Sequence, residues 1–162
     1  MSVADEYLNN NAAYAQAYPG PLPAKPARHA AVVACMDSRM EISGILGMHD
    51  GEAHVIRNAG GAVTDDVIRS VAVSQRLLGT REIILIHHTD CGLQKTTEDG
   101  FKGAIEAETG IRPHWAVESF SDAGQDVRQS IGRLKASPFI PHKDAIRGFV
   151  FDVATGKLRE VS

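Results

Sequence analysis

Short apolar runs alternate with amphipathic stretches along the chain. The runs within 29–37, 53–61 and 81–92 are compact enough to be buried strands of a parallel sheet. Between the second and third runs, residues 64–79 carry apolar side chains at helical spacing, with a threonine to cap the helix and a glycine to end it. Other amphipathic stretches, at 40–47, 101–108 and 122–136, predict further helices. This alternation favours a single-domain α/β fold with a mostly parallel central sheet and flanking helices.

The two ends of the chain differ from this centre. Residues 3–17 contain no proline or glycine and have tyrosines at roughly helical spacing, which predicts an amphipathic helix; PGPLPAKP at 19–26 predicts an extended linker. We therefore divide the chain into an N-terminal helical arm with its linker, 1–28, and an α/β domain, 29–162. The pattern of 147–161 alternates like a hairpin and predicts an antiparallel C-terminal edge.

Composition and charge exclude several classes of protein. The formal charge is −3, from 17 basic and 20 acidic residues without long runs, so there is no electrostatic footprint for nucleic acid or an anionic membrane. A small molecule or another protein is the expected partner. No apolar stretch approaches the ~20 residues needed to span a bilayer, and the N-terminus lacks the pattern of a signal peptide. We expect a cytoplasmic protein, in which a structural disulfide is disfavoured.

Three side chains with affinity for soft metals lie at the ends of predicted strands. Cys35 closes the first strand, and His88 and Cys91 lie just beyond the third. Ligands of parallel sheets bind at this edge, and the three side chains can converge if the two strands are neighbours. Two thiolates and an imidazole suit zinc, with a fourth position left open for chemistry. His87 should point to the other face of its strand, as a packed or supporting histidine.

Other interpretations of the cysteines remain open. Each can be a small buried hydrophobic residue, since free cysteine is among the most buried residue types. A thiol redox pair lacks the C-x-x-C spacing, and a phosphatase loop needs C-x5-R where this chain has C-x3-R. The glycines of NAGG at 58–61 allow close approach of the backbone to a ligand, but G-x-G-x-x-G is absent, which argues against a dinucleotide site.

Asp37 and Arg39 lie two residues apart and face the same way in an extended segment, so they can form an ion pair. Such a pair is usually structural. Beside a metal, its carboxylate can either ligate zinc or accept a hydrogen bond from a zinc-bound hydroxide.

Three motifs taken together, CMDSR at 35–39, RNAGG at 57–61 and HHTDCG at 87–92, resemble the β-class carbonic anhydrases. The resemblance covers about residues 30–93 by motif. It implies one Zn²⁺ per chain on Cys35, His88 and Cys91, with a catalytic Asp37–Arg39 dyad beside it. It also implies a homodimer with active sites near the subunit interface and an N-terminal helix across the partner, although packing of this helix on its own domain is equally open.

The activity implied by the resemblance is zinc-dependent carbonate dehydratase, the reversible hydration of carbon dioxide to bicarbonate and a proton by zinc-bound hydroxide. Asp37 would accept the proton of the hydroxide and Arg39 would hold the carboxylate; alternatively, Asp37 is a fourth zinc ligand at low pH. Gly60 and Gly92 are candidate substrate contacts. The helix expected after Gly92 would point its N-terminus at Cys91 and help to keep the thiolate ionised.

The sequence does not decide which residue passes the proton to bulk water or which substrate the site takes. His49, His54 and His87 are candidates for the transfer of the proton to bulk water. The same zinc site can belong to a hydrolase of carbon disulfide or carbonyl sulfide. A non-catalytic alternative is a zinc-binding regulatory protein whose site is closed by Asp37.

Overall fold

A five-stranded sheet lies at the centre of the computed structural model, which describes residues 2–161. In chain order the strands are β1 (Ala30–Cys35), β2 (Ala53–Asn58), β3 (Glu82–His88), β4 (Ala145–Phe151) and β5 (Leu158–Val161). Across the sheet the order is β2-β1-β3-β4-β5, with β1 to β4 parallel and β5 antiparallel to β4. The α/β fold class and the antiparallel C-terminal edge are confirmed.

Within residues 2–161, five α-helices accompany the sheet: α1 (Val3–Ala17), α2 (Ile42–Leu46), α3 (Asp65–Leu78), α4 (Glu98–Thr109) and α5 (Ala123–Ala136). The central helix begins and ends as predicted. The side chain of Thr64 accepts a hydrogen bond from the amide of Val67, and Gly79 closes the helix in the left-handed conformation. Both ends follow from local chemistry, because threonine satisfies an unpaired amide and glycine adopts a positive φ without strain.

The core has two layers, one on each face of the sheet. Side chains from α3 and α5, including Val71 and Leu134, pack with Val33 and Leu85 on one face. On the other face Met40 and other apolar side chains pack around Cys35 and Cys91. Every residue of β1 is buried, which explains its uninterrupted apolar run: the strand lies inside the sheet and is covered on both faces.

The segment after Cys91 differs from the prediction. The prediction of an α-helix whose N-terminus points at Cys91 is wrong, since residues Gly92–Lys95 form a four-residue 3-10 turn. The α-helix α4 starts only at Glu98, where Thr97 caps it by accepting from the amide of Gly100. The local capping preference of Thr97 thus sets the start of this helix, and no long helix dipole points at Cys91.

The N-terminal arm lies outside this core. Helix α1 is capped by a reciprocal pair of hydrogen bonds between Ser2 and Asp5, and none of its residues is buried. After the proline-rich linker, the amide of Ala27 donates to the carbonyl oxygen of Gly51 at 2.9 Å, which fastens the chain to the domain. No helix of the described chain is long and apolar enough to cross a membrane.

Candidate metal centre and active site

Cys35, His88 and Cys91 come together at the carboxyl edge of the sheet. Cys35 ends β1 and His88 ends β3, and these strands are direct neighbours, as the convergence of the three side chains required. All three side chains are buried, and their ligand atoms lie within 4.8 Å of one another. Zinc binds sulfur at ~2.3 Å and imidazole nitrogen at ~2.0 Å, so one ion can contact all three atoms.

The ring of His88 is oriented for metal binding. Its Nδ1 lies 2.9 Å from the carbonyl oxygen of Thr89, which can only accept, so Nδ1 carries the hydrogen and donates. Its Nε2 is buried and has no hydrogen-bond partner among residues 2–161. A buried polar atom without a partner costs about 1–3 kcal/mol. A metal ion on Nε2 removes that cost, and the donor set therefore fits zinc.

The two thiols form a coupled pair. A hydrogen bond from Cys91 lowers the pKa of Cys35 to about 4, against the opposing effect of burial, and the same contact raises the pKa of Cys91. The backbone amides of Asp37 and Gly60 also stabilise the Cys35 thiolate. The metal-free pair consequently shares one proton, which an ion must displace to bind both sulfurs.

Asp37 and Arg39 form the predicted ion pair next to the cysteines and histidine. Arg39 donates from Nε to Oδ1 of Asp37 at 2.9 Å and from Nη2 to Oδ2 at 2.7 Å. This fork holds the pKa of Asp37 well below its usual range. Oδ2 of Asp37 lies 3.7 Å from Nε2 of His88. An ionised carboxylate thus borders the position that a metal ion would take.

Two further residues, which were not predicted from the sequence, contact this region. Asp90 accepts from Nη1 of Arg39 at 2.8 Å and pairs with Nζ of Lys95 at 2.5 Å. Arg57, on β2, donates to the carbonyl oxygen of Cys35 at 2.9 Å and to that of Asp37 at 2.7 Å. Both residues lie within the quoted motifs, but only the strand pairing and the turn after β3 place them against Arg39 and Cys35.

The glycines predicted near substrate differ in their surroundings. Gly60 has a φ of 78°, is buried, and its backbone amide lowers the pKa of the Cys35 thiol. Its neighbour Gly61 has a φ of 70°, and a Cβ there would lie 2.9 Å from the amide nitrogen of Cys35. Gly92 is exposed, with open space where a Cβ would stand. The glycine turn thus packs tightly on the end of β1, whereas Gly92 borders open space.

The histidines proposed as proton acceptors are not gathered at the metal centre. His87 is fully buried on the other face of β3, with Nε2 3.2 Å from the carbonyl oxygen of Gly61 and Nδ1 3.1 Å from Oδ2 of Asp126. This confirms its prediction as a packed histidine. His54 lies at the amino end of β2 and bonds Ser74 at 2.8 Å, and His49 precedes that strand. Both are remote from the carboxyl edge.

Comparison with known proteins agrees with this geometry. The family model described as carbonic anhydrase matches residues 30–158. Beta-carbonic anhydrase 1 of Mycobacterium tuberculosis is 62% identical over 162 residues, which cover 100% of this chain and 99% of the relative. The chain belongs to the β-carbonic anhydrase family. Zinc is the metal on which these enzymes depend, and the Cys35, His88 and Cys91 cluster can hold one such ion.

Other relatives of this β-carbonic anhydrase extend the comparison. The crystal structure of carbonic anhydrase from Streptococcus mutans superposes with a TM-score of 0.95 at 43% identity, covering 100% of this chain and 99% of that one. A carbon disulfide hydrolase of Saccharolobus solfataricus is 36% identical over 154 residues, which cover 80% of this chain and 75% of the relative. The fold is thus shared between enzymes named for two different substrates.

Proposed function

We propose that this chain is a carbonate dehydratase that hydrates carbon dioxide reversibly to bicarbonate and a proton, with one zinc ion on Cys35, His88 and Cys91. The observation that carries the proposal is the buried, unpartnered Nε2 of His88, which faces two thiols and an ionised carboxylate. When bound, zinc supplies a water molecule with a pKa lowered towards neutrality, which is the nucleophile the reaction needs.

Asp37 and Arg39 divide the remaining work. We assign to the Asp37 carboxylate the acceptance of a hydrogen bond from the nucleophile, because an ionised carboxylate 3.7 Å from Nε2 of His88 can orient a water molecule there. Arg39 keeps that carboxylate ionised and in place through its two hydrogen bonds. The alternative role of Asp37, as a fourth zinc ligand at low pH, requires the carboxylate to leave Arg39.

The substrate contacts are also proposals. Gly92 is exposed next to Cys91, and its amide is the better placed of the two glycines to meet a substrate oxygen. Gly60 is buried and its backbone amide lowers the pKa of the Cys35 thiol, so we assign to Gly60 first the stabilisation of a metal ligand. Its contact with substrate would then be limited to the backbone edge of the turn.

The experiment that tests the activity is stopped-flow hydration of carbon dioxide by the zinc-loaded protein. We expect a rate above the buffer background that disappears with a chelator and returns with zinc. The variant Cys35→Ser is the matched control, since it removes one ligand and should leave neither tight zinc binding nor activity. A hydration rate no higher than that of the buffer alone, in protein that retains one zinc ion per chain, would contradict the proposal.

The same preparation separates the alternatives. The similarity to carbon disulfide hydrolases, at 36% identity, is the reason to assay carbon disulfide and carbonyl sulfide in parallel. Turnover of the sulfur compounds without hydration of carbon dioxide would assign the site to a hydrolase. Zinc bound without turnover of any of the three gases would favour a zinc-binding regulatory protein.

We further propose that residues 1–28 form an arm by which the chain pairs with a second copy. One face of α1 carries Val3, Tyr7 and Tyr14, the C-cap residue Tyr18 continues this face, and none of these side chains is buried. Between α3 and α5 the domain, 29–162, has an apolar groove of about 910 Å³ that includes Leu77 and Phe139, which are 70% and 63% exposed. Both apolar surfaces lack a partner within residues 2–161.

Charge complementarity supports a second copy of the chain as the occupant of the groove. Helix α1 has Asp5 and Glu6 in its first turn and no basic residue. The groove is lined by three arginines and one acidic residue: Arg69, Arg76, Arg133 and Asp65. Arg69 and Arg133 are already paired with acidic neighbours, so Arg76 is the arginine without an acidic partner among residues 2–161. An acidic helix with an apolar face therefore matches an apolar groove whose lining has more basic than acidic side chains. A cytoplasmic location accords with this enzyme, because two free, buried cysteines must stay reduced to hold the metal.

A further inference from the structure

Arg39 is held from two sides. As described above, Nε and Nη2 donate to the carboxylate of Asp37. On the other side Nη1 donates to Oδ2 of Asp90 at 2.8 Å, and Nη2 reaches the carbonyl oxygen of Asp90 at 3.1 Å. Asp37 follows β1 and Asp90 follows β3, so one guanidinium joins the two segments that carry the cysteine and histidine ligands.

Asp90 is itself fixed by two features. Its backbone has a φ of 58°, in the left-handed region that aspartate and asparagine adopt more readily than most residues. Lys95 lies 2.5 Å from Oδ1, which leaves Oδ2 for Arg39. With Lys95 on one carboxylate oxygen and Arg39 on the other, Asp90 is held so that both its side chain and its carbonyl oxygen accept from Arg39.

We propose that Asp90 is a positioning residue that holds Arg39 in place and thereby keeps the carboxylate of Asp37 beside the metal rather than on it. Oδ2 of Asp37 lies 3.7 Å from Nε2 of His88, so a carboxylate released by Arg39 is within a short movement of an ion on that nitrogen. Carboxylate oxygen is a good zinc ligand. Once on the metal, Asp37 would occupy the position that water needs; this inference rests on the proposed function.

The variant Asp90→Asn tests the inference with little disturbance of the turn. Asparagine keeps the size of the side chain and tolerates the left-handed conformation, but it removes the negative charge. The matched control is Glu160→Gln, which removes the charge from another carboxylate that accepts two hydrogen bonds from an arginine. Arg147 on β4 donates to Glu160 on β5 from both Nε and Nη2, each at 2.8 Å.

In the zinc-loaded protein we expect Asp90→Asn to lower kcat by about three- to fivefold, the range that a half-exposed charged pair contributes. KM, zinc content and the behaviour of Glu160→Gln should be unchanged. In an Asp37→Ala background Asp90→Asn should have no additional effect, because Asp90 acts through Arg39 on Asp37. An equal loss of kcat in both backgrounds would overturn the inference.

Two measurements decide the point without enzyme turnover. In the metal-free protein, NMR of the Arg39 Nε–H should show slow exchange with solvent in the wild-type chain and faster exchange in Asp90→Asn, with Lys95→Met between them. In the cobalt-substituted protein, the visible bands of Asp90→Asn should shift because the Asp37 carboxylate binds the cobalt ion. In the double variant Asp37→Ala/Asp90→Asn this shift should be absent.

These measurements also separate the two proposals. Unchanged Arg39 exchange in Asp90→Asn, or a cobalt spectrum identical to that of the wild-type chain, would overturn the positioning role. If the wild-type protein fails to hydrate carbon dioxide, the proposed function fails, and the exchange rates and cobalt spectra still accept or reject the role of Asp90.

Discussion

Arg57 donates a hydrogen bond from Nε to the carbonyl oxygen of Cys35 at 2.9 Å. Its Nη2 reaches the carbonyl oxygen of Asp37 at 2.7 Å, so one guanidinium braces the main chain on both sides of Met36. The segment that carries a metal ligand and the proposed catalytic carboxylate is therefore anchored to the neighbouring strand β2. Groups that orient metal ligands in this way contribute to metal affinity although they never touch the ion.

We therefore expect Arg57→Met to lower zinc affinity by about tenfold, since the end of β1 with Cys35 and the loop after it with Asp37 lose their brace. Competition with a chromophoric chelator measures this affinity. Arg28→Met is the control, because Arg28 forms an exposed pair with Glu52 at 3.4 Å, remote from the carboxyl edge. Equal zinc affinity in all three proteins would show that the loop keeps its shape without Arg57.

The change Asp37→Ala should reduce kcat by about 10²-fold and leave one zinc per chain. The reduction follows from the loss of the group that orients the nucleophile, and it is at the lower end of the range for positioned acid–base groups. Zinc should remain because Cys35, His88 and Cys91 are intact. Stopped-flow rates and metal analysis of the same sample check both statements; loss of zinc would make Asp37 a ligand instead.

Titration of the metal-free protein should reveal one thiolate per chain at neutral pH. The pKa of Cys35 is lowered to about 4 by the hydrogen bond from Cys91, and that of Cys91 is raised. Ultraviolet thiolate absorbance should therefore appear as the pH rises through about 4. Cys91→Ala should move this step upward, and Cys91→Ser, which keeps a donor, should move it less. Two thiolates that appear together near the ordinary cysteine pKa would contradict the pairing.

The same pair makes the stability of the metal-free protein depend on pH. Above a pH of about 4 the folded pair binds one proton, while the unfolded chain binds two up to the ordinary cysteine pKa of about 8.5. The free energy of unfolding therefore rises with pH through this window, and the contribution is lost as the pH falls through about 4. Urea unfolding at several pH values measures this dependence. The free energy of unfolding should rise less steeply with pH in Cys91→Ala than in the wild-type protein.

Gly61→Ala should destabilise the metal-free protein by about 2–3 kcal/mol. The residue would have to keep a φ of 70°, and its Cβ would lie 2.9 Å from the Cys35 amide nitrogen and 3.0 Å from the carbonyl carbon of Ala34. Gly132→Ala, in α5 with open space around the added methyl group, should stabilise the protein by about 0.5–1 kcal/mol. Urea unfolding measures both, and similar effects of the two changes would refute the packing argument.

Replacement of both Tyr7 and Tyr14 by serine should convert the proposed dimer to a monomer, as should Leu77→Ser with Phe139→Ser in the groove. Each pair removes apolar surface from one side of the same contact. Phe101→Ser is the control, because Phe101 is 42% exposed but lies on α4, outside the groove. Sedimentation velocity reports the oligomer, and a dimer that survives both pairs would place the interface elsewhere.

Much of the fold and of the metal cluster can be predicted because each depends on local patterns. The apolar run of β1, the Thr64 cap and the Gly79 terminator are readable from neighbours in sequence. The convergence of Cys35 with His88 needed one further condition, adjacency of β1 and β3, which the sheet order meets. The two cysteines, the histidine and the Asp37–Arg39 pair can therefore be predicted as site residues from the sequence.

The contacts of Asp90 and Arg57 were not predictable for a physical reason. Asp90 reaches Arg39 only because its backbone is left-handed, and Arg57 reaches Cys35 only through the register that pairs β1 with β2. Neither property leaves a periodic signal in sequence. The 3-10 turn after Cys91 leaves no such signal either, because its four residues, Gly92–Lys95, are too few to show a helical period.

The distance along the chain between Cys35 and His88, 53 residues, has a consequence for biogenesis. The segment that carries His88 and Cys91 offers only two ligands, so it cannot form the three-ligand site on its own. The third ligand arrives when β1 and β3 pair in parallel, a long-range step that is slow compared with helix formation. The complete set of ligands therefore exists only where β1 and β3 are paired, so one bound zinc ion per chain would report that this long-range contact has formed.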